Sequence, residues 1–274
     1  MRPLLRAELI KLRTTRTFVA LAAVAVVTSV VIVALVSLLT EPSEDSVLTD
    51  VFTADTSSIF ITILAIVGIT GEWRHRTITS SLLAAPDRAK FLAAKVLAFA
   101  AAGAVLSLLI SIGIAISGYT ILSIRDLPTP ELADVLAQFG RNVLLAALLG
   151  GFGVGFGALL RNQAVAIVAI LLLGLVIEPM LLALAPDVGV YGPFSGLPAG
   201  VQDIPSDDIG ADEADLLSPG LATLGMLAWT GVLFAGGAVL LRTRDLDKSL
   251  RRASRAASAR VTRSCAESPS RSSL

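Results

Sequence analysis

The sequence predicts an all-α integral membrane protein with six transmembrane helices, and three observations lead to this prediction. Of the 274 residues, 54% are hydrophobic and only 16% are charged, whereas a soluble domain carries roughly 25% charged residues. Six apolar runs approach or exceed the roughly 20 residues that a helix needs to cross a bilayer. Within lipid, only a helix satisfies the backbone hydrogen bonds of such a run internally. A soluble protein with buried helices is the alternative, which the length of several runs disfavours.

The six predicted spans form one transmembrane domain over residues 1–241, and a basic tail over residues 242–274 follows. Apart from basic residues at their ends, the runs are uncharged or carry one acid, Asp55 in the second run and Glu178 in the fifth. The tail is rich in Arg, Ser and Ala, which favours a partly disordered segment. The predicted spans are 17–40, 51–70, 95–118, 140–160, 163–185 and 217–241.

The first apolar run follows a group of basic residues and therefore has the outline of a secretory signal peptide. The apolar region of a signal peptide has about 7–15 residues, and the first run is longer than that. No clean small-x-small cleavage site closes the run. We therefore expect it to be retained as the first transmembrane helix.

Residues 1–16, before the first run, are predicted to form a helix that lies in the membrane interface. Leu5, Leu9 and Leu12 lie at helical spacing, and basic residues are interleaved among them. Such a helix places its leucines in the acyl boundary and its cations at anionic headgroups, so membrane lipids are an expected partner. The alternative is an ordinary basic flank that sets the topology of the chain.

Basic residues are unevenly divided between the loops, and this predicts the orientation. One side of the membrane, taken as the ends and alternate loops, holds all Lys and Arg residues except Arg125 and Arg141. Because basic loops are retained inside, we expect both termini to be cytoplasmic. The opposite loops are acidic, and in one of them residues 128–138 are predicted to form a short surface helix.

The fourth run contains the sequence GGFGVGFG, in which two pairs of glycines are spaced four residues apart. Small residues at this spacing let two helix backbones approach closely in lipid. We therefore predict a packing seam, either inside the bundle or against a second subunit, although glycine is also simply common in membrane helices. The predicted packing residues are Gly151, Gly153, Gly155 and Gly157.

Glu178 is followed by Pro179 and is the acid within the fifth run. At a rise of 1.5 Å per residue from the start of that helix, it would lie in the outer part of the membrane. An intramembrane acid is a functional candidate by default, whereas an acid this close to the outer surface can simply meet water. Both interpretations stay open at this point.

The sequence lacks the motifs of common membrane enzymes. His75 is the only histidine, so an HExxH metal site cannot form, and its predicted cytoplasmic position excludes a triad with Ser195 of an outer loop. No GxxxxGK[ST] phosphate loop occurs, so ATP hydrolysis would have to come from another chain. We expect no enzyme activity, no catalytic or metal site, no cofactor and no nucleic-acid partner.

Residues 71–95 form a charged hinge between the second and third runs and read GEWRHRTITSSLLAAPDRAKFLAAK. A glutamate, an aromatic residue, an arginine and, three positions later, a threonine resemble the hinge of the ABC-2 type permease family, the membrane subunits of ABC exporters. In this chain the matching residues are Glu72, Trp73, Arg74 and Thr77. The opening ELIKLRTTRT and the later RNQAVAI are also similar to that family, whereas Arg76 stands where members often have glycine.

The resemblance implies a permease subunit of a bacterial ABC exporter in the plasma membrane, which moves a hydrophobic or amphiphilic substrate out of the cell. It also implies two partners, a separate nucleotide-binding ATPase subunit and a second permease subunit that is identical or homologous. In that family the segment after the second span is a coupling helix that docks onto the ATPase, and a short amphipathic helix suits a partner's groove. The expected coupling residues are Glu72, Trp73, Arg74, His75, Arg76, Thr77, Leu82 and Leu83.

Glu72 is the central candidate of this hinge. A carboxylate at the membrane edge beside Arg74, His75 and Arg76 is expected to be ion-paired and to hold the hinge to the second span; the alternative is that it is merely solvated. The hinge as a whole could also be a plain basic topology loop. For the whole chain, the alternative is a non-transporting membrane anchor or sensor. The sequence does not identify the substrate.

Overall fold

The computed structural model describes residues 2–44, 46–74, 87–206 and 215–240. All regular structure in these ranges is helical. Six of the helices are long and apolar enough to cross a membrane, which confirms the predicted class of an all-helical membrane protein. The predicted coupling helix and the tail over residues 242–274 lie outside the described residues.

The helices are numbered here in chain order, and the longest stretch of chain between two spans follows the fifth. The bounds are α1 (Arg2–Thr14), α2 (Arg16–Leu39), α3 (Val47–Phe52), α4 (Ser57–Arg74), α5 (Arg88–Ile124), α6 (Leu132–Leu160), α7 (Gln163–Leu184), α8 (Pro186–Gly189), α9 (Gly196–Gln202) and α10 (Pro219–Leu240). The six spans are α2, α3 together with α4, α5, α6, α7 and α10.

Three spans are longer than the sequence predicts, and the first of them, α3 together with α4, covers Val47–Arg74. α5 has 37 residues, which makes it about 55 Å long, beyond the roughly 30 Å of the hydrocarbon core. α6 begins at Leu132, so most of the segment predicted as a separate surface helix is the first part of this span. The physical reason is that an existing helix extends at little cost where no residue breaks it.

α6 is the central helix of the bundle and packs along both α4 and α5. In its most apolar stretch 61% of the residues are buried, against 17% in α2 and in α10. The outer spans therefore present most of their apolar surface to the surroundings of the chain. In a membrane, that surface contacts lipid or another subunit.

The glycines of the GGFGVGFG sequence face three neighbouring helices of the same chain. A Cβ atom added to each would lie 3.2 Å from Val96 of α5 at Gly151, 2.7 Å from Thr62 of α4 at Gly153, 2.8 Å from Leu233 of α10 at Gly155, and 2.5 Å from Ile69 of α4 at Gly157. Most of these distances are too short for a real side chain. The glycines thus allow α6 to lie against its neighbours inside the bundle.

The two ends of the bundle differ in charge. Successive spans alternate in direction, so the basic loops lie at one end and the acidic loops at the other. The basic end holds α1, the last turn of α4, the first turns of α5 and the turn between α6 and α7, which carry the described part of the basic loops. The acidic end holds α3, α8, α9 and the connection between α5 and α6. At that end Arg125 donates hydrogen bonds to the carbonyl oxygens of Ser37 and Thr40, both at 2.7 Å, and so joins α5 to the end of α2.

Candidate functional site at the basic end

Four charged side chains form an ion-pair cluster at the basic end. Lys95 Nζ lies 2.6 Å from Glu8 Oε2 and 2.9 Å from Glu72 Oε1. Lys11 Nζ lies 2.7 Å from Glu8 Oε1 and 3.3 Å from Glu72 Oε1. Since these residues come from α1, α4 and α5, alternating charges join three helices that are separate in sequence.

Three of the four residues in the ion-pair cluster are buried. Lys95 is 2% exposed, Glu8 6% and Glu72 7%, while half of the Lys11 side chain is exposed. Taking a charge out of water costs several kcal/mol, which partners at hydrogen-bond distance offset. Lys95 Nζ also lies 5.6 Å from the ring centroid of Phe91, in a cation–π contact. Removing one member therefore leaves buried charge without its partner.

The cluster changes the pKa of both charged residues of α1 that take part in it. Burial by itself would raise the pKa of Glu8, but the charge of Lys95 and hydrogen bonds from both lysines hold it below its ordinary value. Burial would lower the pKa of Lys11, yet hydrogen bonds and charges of the two glutamates raise it above its ordinary value. Glu8 and Lys11 therefore stay ionised near neutral pH.

The next two hinge residues reach the other side of the basic end. The ring of Trp73 lies 5.4 Å from the guanidinium carbon of Arg161, in the turn between α6 and α7. Arg161 in turn donates a hydrogen bond of 2.7 Å to the carbonyl oxygen of Leu240, at the end of α10. Arg74 Nη1 lies 3.4 Å from Gln163 Oε1 at the start of α7, which is a long hydrogen bond.

The three consecutive hinge residues Glu72, Trp73 and Arg74 therefore contact different parts of the basic end. Successive residues of an α-helix point about 100° apart, so three in a row project in three directions from the last turn of α4. One reaches α1 and α5, and the other two reach the α6–α7 turn and the start of α7. The last turn of α4 is thus connected to most of the helices that meet there.

A cavity of about 770 Å³ lies beside the ion-pair cluster. The cluster residues form part of its polar wall, and Leu64, Val67 and Phe99 contribute to its apolar wall. α1 packs mainly on α5 and α2, and its described ion pair with α4 is the one between Lys11 and Glu72. The cluster is accordingly the main described connection between α1 and the hinge.

The structure gives Glu72 other described partners than the sequence suggested. The sequence placed it among Arg74, His75 and Arg76, whereas its described ion pairs are with Lys11 and Lys95, and Arg74 turns to α7. Several predicted coupling residues lie outside the described residues, and their roles stay predictions. These residues are His75, Arg76, Thr77, Leu82 and Leu83.

Lys95 was missed as a partner of Glu72, although the sequence holds a signal for it. Phe91, Lys95 and Phe99 are four residues apart and therefore share one face of α5. Both phenylalanines are buried. A lysine in a buried stripe requires an acidic partner, because an unpaired buried charge is very costly.

Glu8 carries a similar signal on α1. Leu4, Glu8 and Leu12 are four residues apart, and both leucines pack against the core formed by α4, α5 and α6. The sequence prediction placed Leu5, Leu9 and Leu12 at the acyl boundary. Leu12 packs against the core instead, whereas Leu9 is 39% exposed and its membrane contact stays a prediction. An acid within the packed stripe indicates a buried ion pair, and in the structure it meets Lys95.

Glu178 lies at the acidic end and is 2% exposed. Its Oε2 accepts a hydrogen bond of 2.6 Å from the backbone N–H of Phe194. Gly192 permits this approach, because a Cβ atom there would lie 2.6 Å from the same oxygen. A π-helical turn, Leu173–Ile177, directly precedes the glutamate in α7. The loop after α8 thus covers the carboxylate, which holds the loop against α7.

Comparisons with known proteins do not place the chain in a family. No family model matches it, and no curated protein matches it. Among the residues that the structure describes, no group of three or more His, Cys, Asp or Glu side chains is arranged to hold a metal ion. A functional proposal therefore depends on the geometry of the basic end and on the resemblance of the hinge sequence.

Proposed function

We propose that the chain is the permease subunit of an ABC-type exporter, which moves a hydrophobic or amphiphilic substrate out of the cell with ATP hydrolysed on a separate subunit. The observation that carries this proposal is the set of contacts made by Glu72, Trp73 and Arg74 at the basic end. Force applied to the segment that follows Arg74 would reach several helices at once. In this proposal the basic end faces the cytoplasm of a bacterium.

The ion-pair cluster suits the transmission of movement. Its partners are buried and lie at 2.6 to 2.9 Å around Lys95, so they hold α1, α4 and α5 in one arrangement. Closely packed elements change between discrete arrangements and do not deform continuously. A displacement at the hinge is then passed on to the helices and is not absorbed at their junction.

The expected partners agree with the surface of the bundle. A separate ATPase subunit is required because the chain has no phosphate loop. α2 and α10 present apolar faces outward, since only 17% of their most apolar stretches is buried. Such faces suit lipid and a second permease subunit, identical or homologous.

The first test is to purify the full chain from its own cells in detergent and to identify the bound chains. We expect a nucleotide-binding subunit to co-purify. Changing both Leu82 and Leu83 to glutamine is expected to release that subunit, because the change removes the apolar face of the proposed coupling helix. Recovery of the chain without any ATPase subunit would contradict the proposal.

The second test is Glu72→Ala in the purified complex, with Glu41→Ala as a control at an exposed acid of the opposite end. We expect Glu72→Ala to keep the ATPase subunit bound but to lower efflux of an amphiphilic dye per ATP hydrolysed by roughly tenfold, the worth of one charge-assisted hydrogen bond. The control should behave as the unaltered chain. Unchanged efflux in Glu72→Ala variants that elute as folded complexes would exclude the coupling role.

The second candidate function is a non-transporting membrane anchor or sensor. The observation in its favour is the ordered acidic end, where Glu178 holds the loop that contains Phe194 and so shapes a defined outer surface. The two candidates differ in their partners. An ATPase sequence encoded beside this chain favours the exporter, and its absence favours the anchor or sensor.

A further inference from the structure

A second cavity, of about 560 Å³, lies toward the acidic end between α2, α4, α6 and α7. Its walls are mostly apolar and include Ile59 of α4, Leu149 of α6 and Ile170 of α7. Among the described residues that line it, Asp55 is the only charged one. The cavity therefore combines an apolar body with a single negative charge.

Asp55 is held in place by groups that carry no full positive charge. Its Oδ1 accepts a hydrogen bond of 2.7 Å from the backbone N–H of Ser57, and its Oδ2 accepts one from the hydroxyl of Ser107. These hydrogen bonds fix the carboxylate beside the N-terminal end of α4. Each carboxylate oxygen has room for a further hydrogen bond.

Arg141 is a described basic residue near this cavity, but it does not pair with Asp55. Arg141 contacts the backbone oxygen of the lining residue Gln202 at 3.5 Å, but it forms an ion pair of 2.8 Å with Asp203. An acidic residue within a membrane span is rare, pairs with a cation or faces a cavity, and marks a binding site or an ion path. The missing counter-charge therefore points to a ligand.

Most of the cavity wall is apolar, and its polar residues include Asp55 with its neighbours Thr53 and Thr56, and Gln202. Further hydroxyl groups in the wall belong to Thr28, Ser58 and Thr62. A ligand that fills the cavity should match this composition. It requires a cationic, weakly hydrated head and an apolar body.

We propose that this cavity binds a cationic amphiphile, with its positive head at Asp55 and its apolar body against Ile59, Leu149 and Ile170. As the substrate class of an exporter, this inference rests on the proposed function. As a binding site, it depends only on the cavity and its charge. An anion of the same shape is excluded, because Asp55 repels it.

The test compares tetraphenylphosphonium and tetraphenylborate, which have the same shape and opposite charge. Each is titrated against the full chain in nanodiscs of zwitterionic lipid, and binding is measured by equilibrium dialysis with empty nanodiscs as reference. We expect saturable binding of the phosphonium and none of the borate. Equal binding of both ions, or no saturable phosphonium binding, overturns the proposal.

Two variants with matched controls locate the site. Asp55→Asn should weaken phosphonium binding by at least roughly tenfold, whereas Asp126→Asn, the same change at an exposed acid of the same end, should not. Ile59→Trp should block binding by filling the cavity, since this side chain is 45% exposed and has room to grow. Val105→Trp, at a 59% exposed position of α5 away from the cavity, should leave binding intact.

The variants also separate this inference from the proposed function. Unchanged phosphonium binding in both Asp55→Asn and Ile59→Trp overturns the site, even if an ATPase subunit co-purifies. If the chain binds phosphonium in the expected pattern but recruits no ATPase subunit, the proposed binding site stands and the proposed exporter function is wrong. Because Ile59→Trp leaves the carboxylate and its hydrogen bonds in place, its result does not depend on the folding of the Asp55 variant.

Discussion

The two ends of this bundle provide different partners for their acidic side chains. At the basic end, Glu8 and Glu72 both lie within 2.9 Å of Lys95 Nζ. At the acidic end, Glu178 accepts a hydrogen bond from a backbone N–H group, and Asp55 accepts from a backbone N–H and a serine hydroxyl. Neither of these two acids has an ion pair with a described lysine or arginine.

The difference indicates different tasks for the two ends. An ion pair between helices joins elements that are far apart in sequence, and Lys95 and Glu8 are 87 positions apart. The hydrogen bond that the N–H of Phe194 donates to Glu178 spans 16 positions and organises one loop. The two glutamates of the basic end therefore connect three helices through shared cations, whereas Glu178 organises a local surface and Asp55 lines a cavity.

The largest expected effect is that of Lys95→Met. This change leaves two buried carboxylates with the half-exposed Lys11 as the remaining cation among the described members of the cluster, and removing one partner of a buried pair costs roughly 3–5 kcal/mol. We expect the free energy of unfolding, measured by titration with dodecyl sulfate in mixed micelles, to fall by about this amount.

Lys90→Met is the matched control for that experiment. Lys90 pairs with Asp87 at 3.1 Å on the surface of the same helix, and exposed pairs of this kind are largely screened by water and salt. The double variant Lys95→Met/Glu72→Gln should lose less stability than the two single changes together, because the residues share one interaction. Equal stability of the two lysine variants would show that the buried ion pairs of the basic end do not hold its helices together more strongly than an exposed pair does.

A smaller and local effect is expected for Glu178→Ala. The change removes the acceptor for the N–H of Phe194, and a lost hydrogen bond of this kind is worth about 1 kcal/mol. Amide hydrogen exchange in the loop after α8 should rise several-fold, with no loss of global stability comparable to that of the lysine variant. Glu178→Gln keeps an acceptor oxygen and should preserve the protection of the loop amides against hydrogen exchange. Global destabilisation by Glu178→Ala would contradict a purely local role.

The smallest expected effect is a response of the basic end to acid. The pKa of Glu8 is held below its ordinary value of 4.5, so its contribution to stability is complete above that value and is lost as the pH falls below it toward the lowered value. Trp73 adjoins the cluster and reports on it once the other tryptophan is removed by Trp229→Phe. We expect its fluorescence to change only below pH 4.5.

Two variants test whether this fluorescence change reports the titration of Glu8. Lys11→Met removes a hydrogen bond that lowers the pKa of Glu8, so the transition should move to higher pH. Glu8→Gln should abolish it, because the titrating group is gone. A shift to lower pH in the Lys11 variant would show that Lys11 and Glu8 are not coupled as the structure describes.

Several features of the candidate site could be predicted from sequence because they depend on local pattern. The hinge glutamate stood out as a charge at the end of an apolar run, and the glycine pairs of α6 indicated close packing. The partners of Glu72 could not be read in this way. Lys95 looked like one more basic residue of a cytoplasmic loop, although α5 extends past it to Arg88 and buries it.

The sequence by itself determined that this is a membrane protein, how many of its helices are long and apolar enough to cross the membrane, and which end of the bundle is basic. These properties follow from the length of apolar runs and the position of charges, because each residue exchanges with water or lipid largely on its own. Only the tertiary structure decided that Glu8, Glu72 and Lys95 meet, that Glu178 is covered by a loop, and that Asp55 faces a cavity. Such meetings depend on how distant helices pack, which no local pattern specifies.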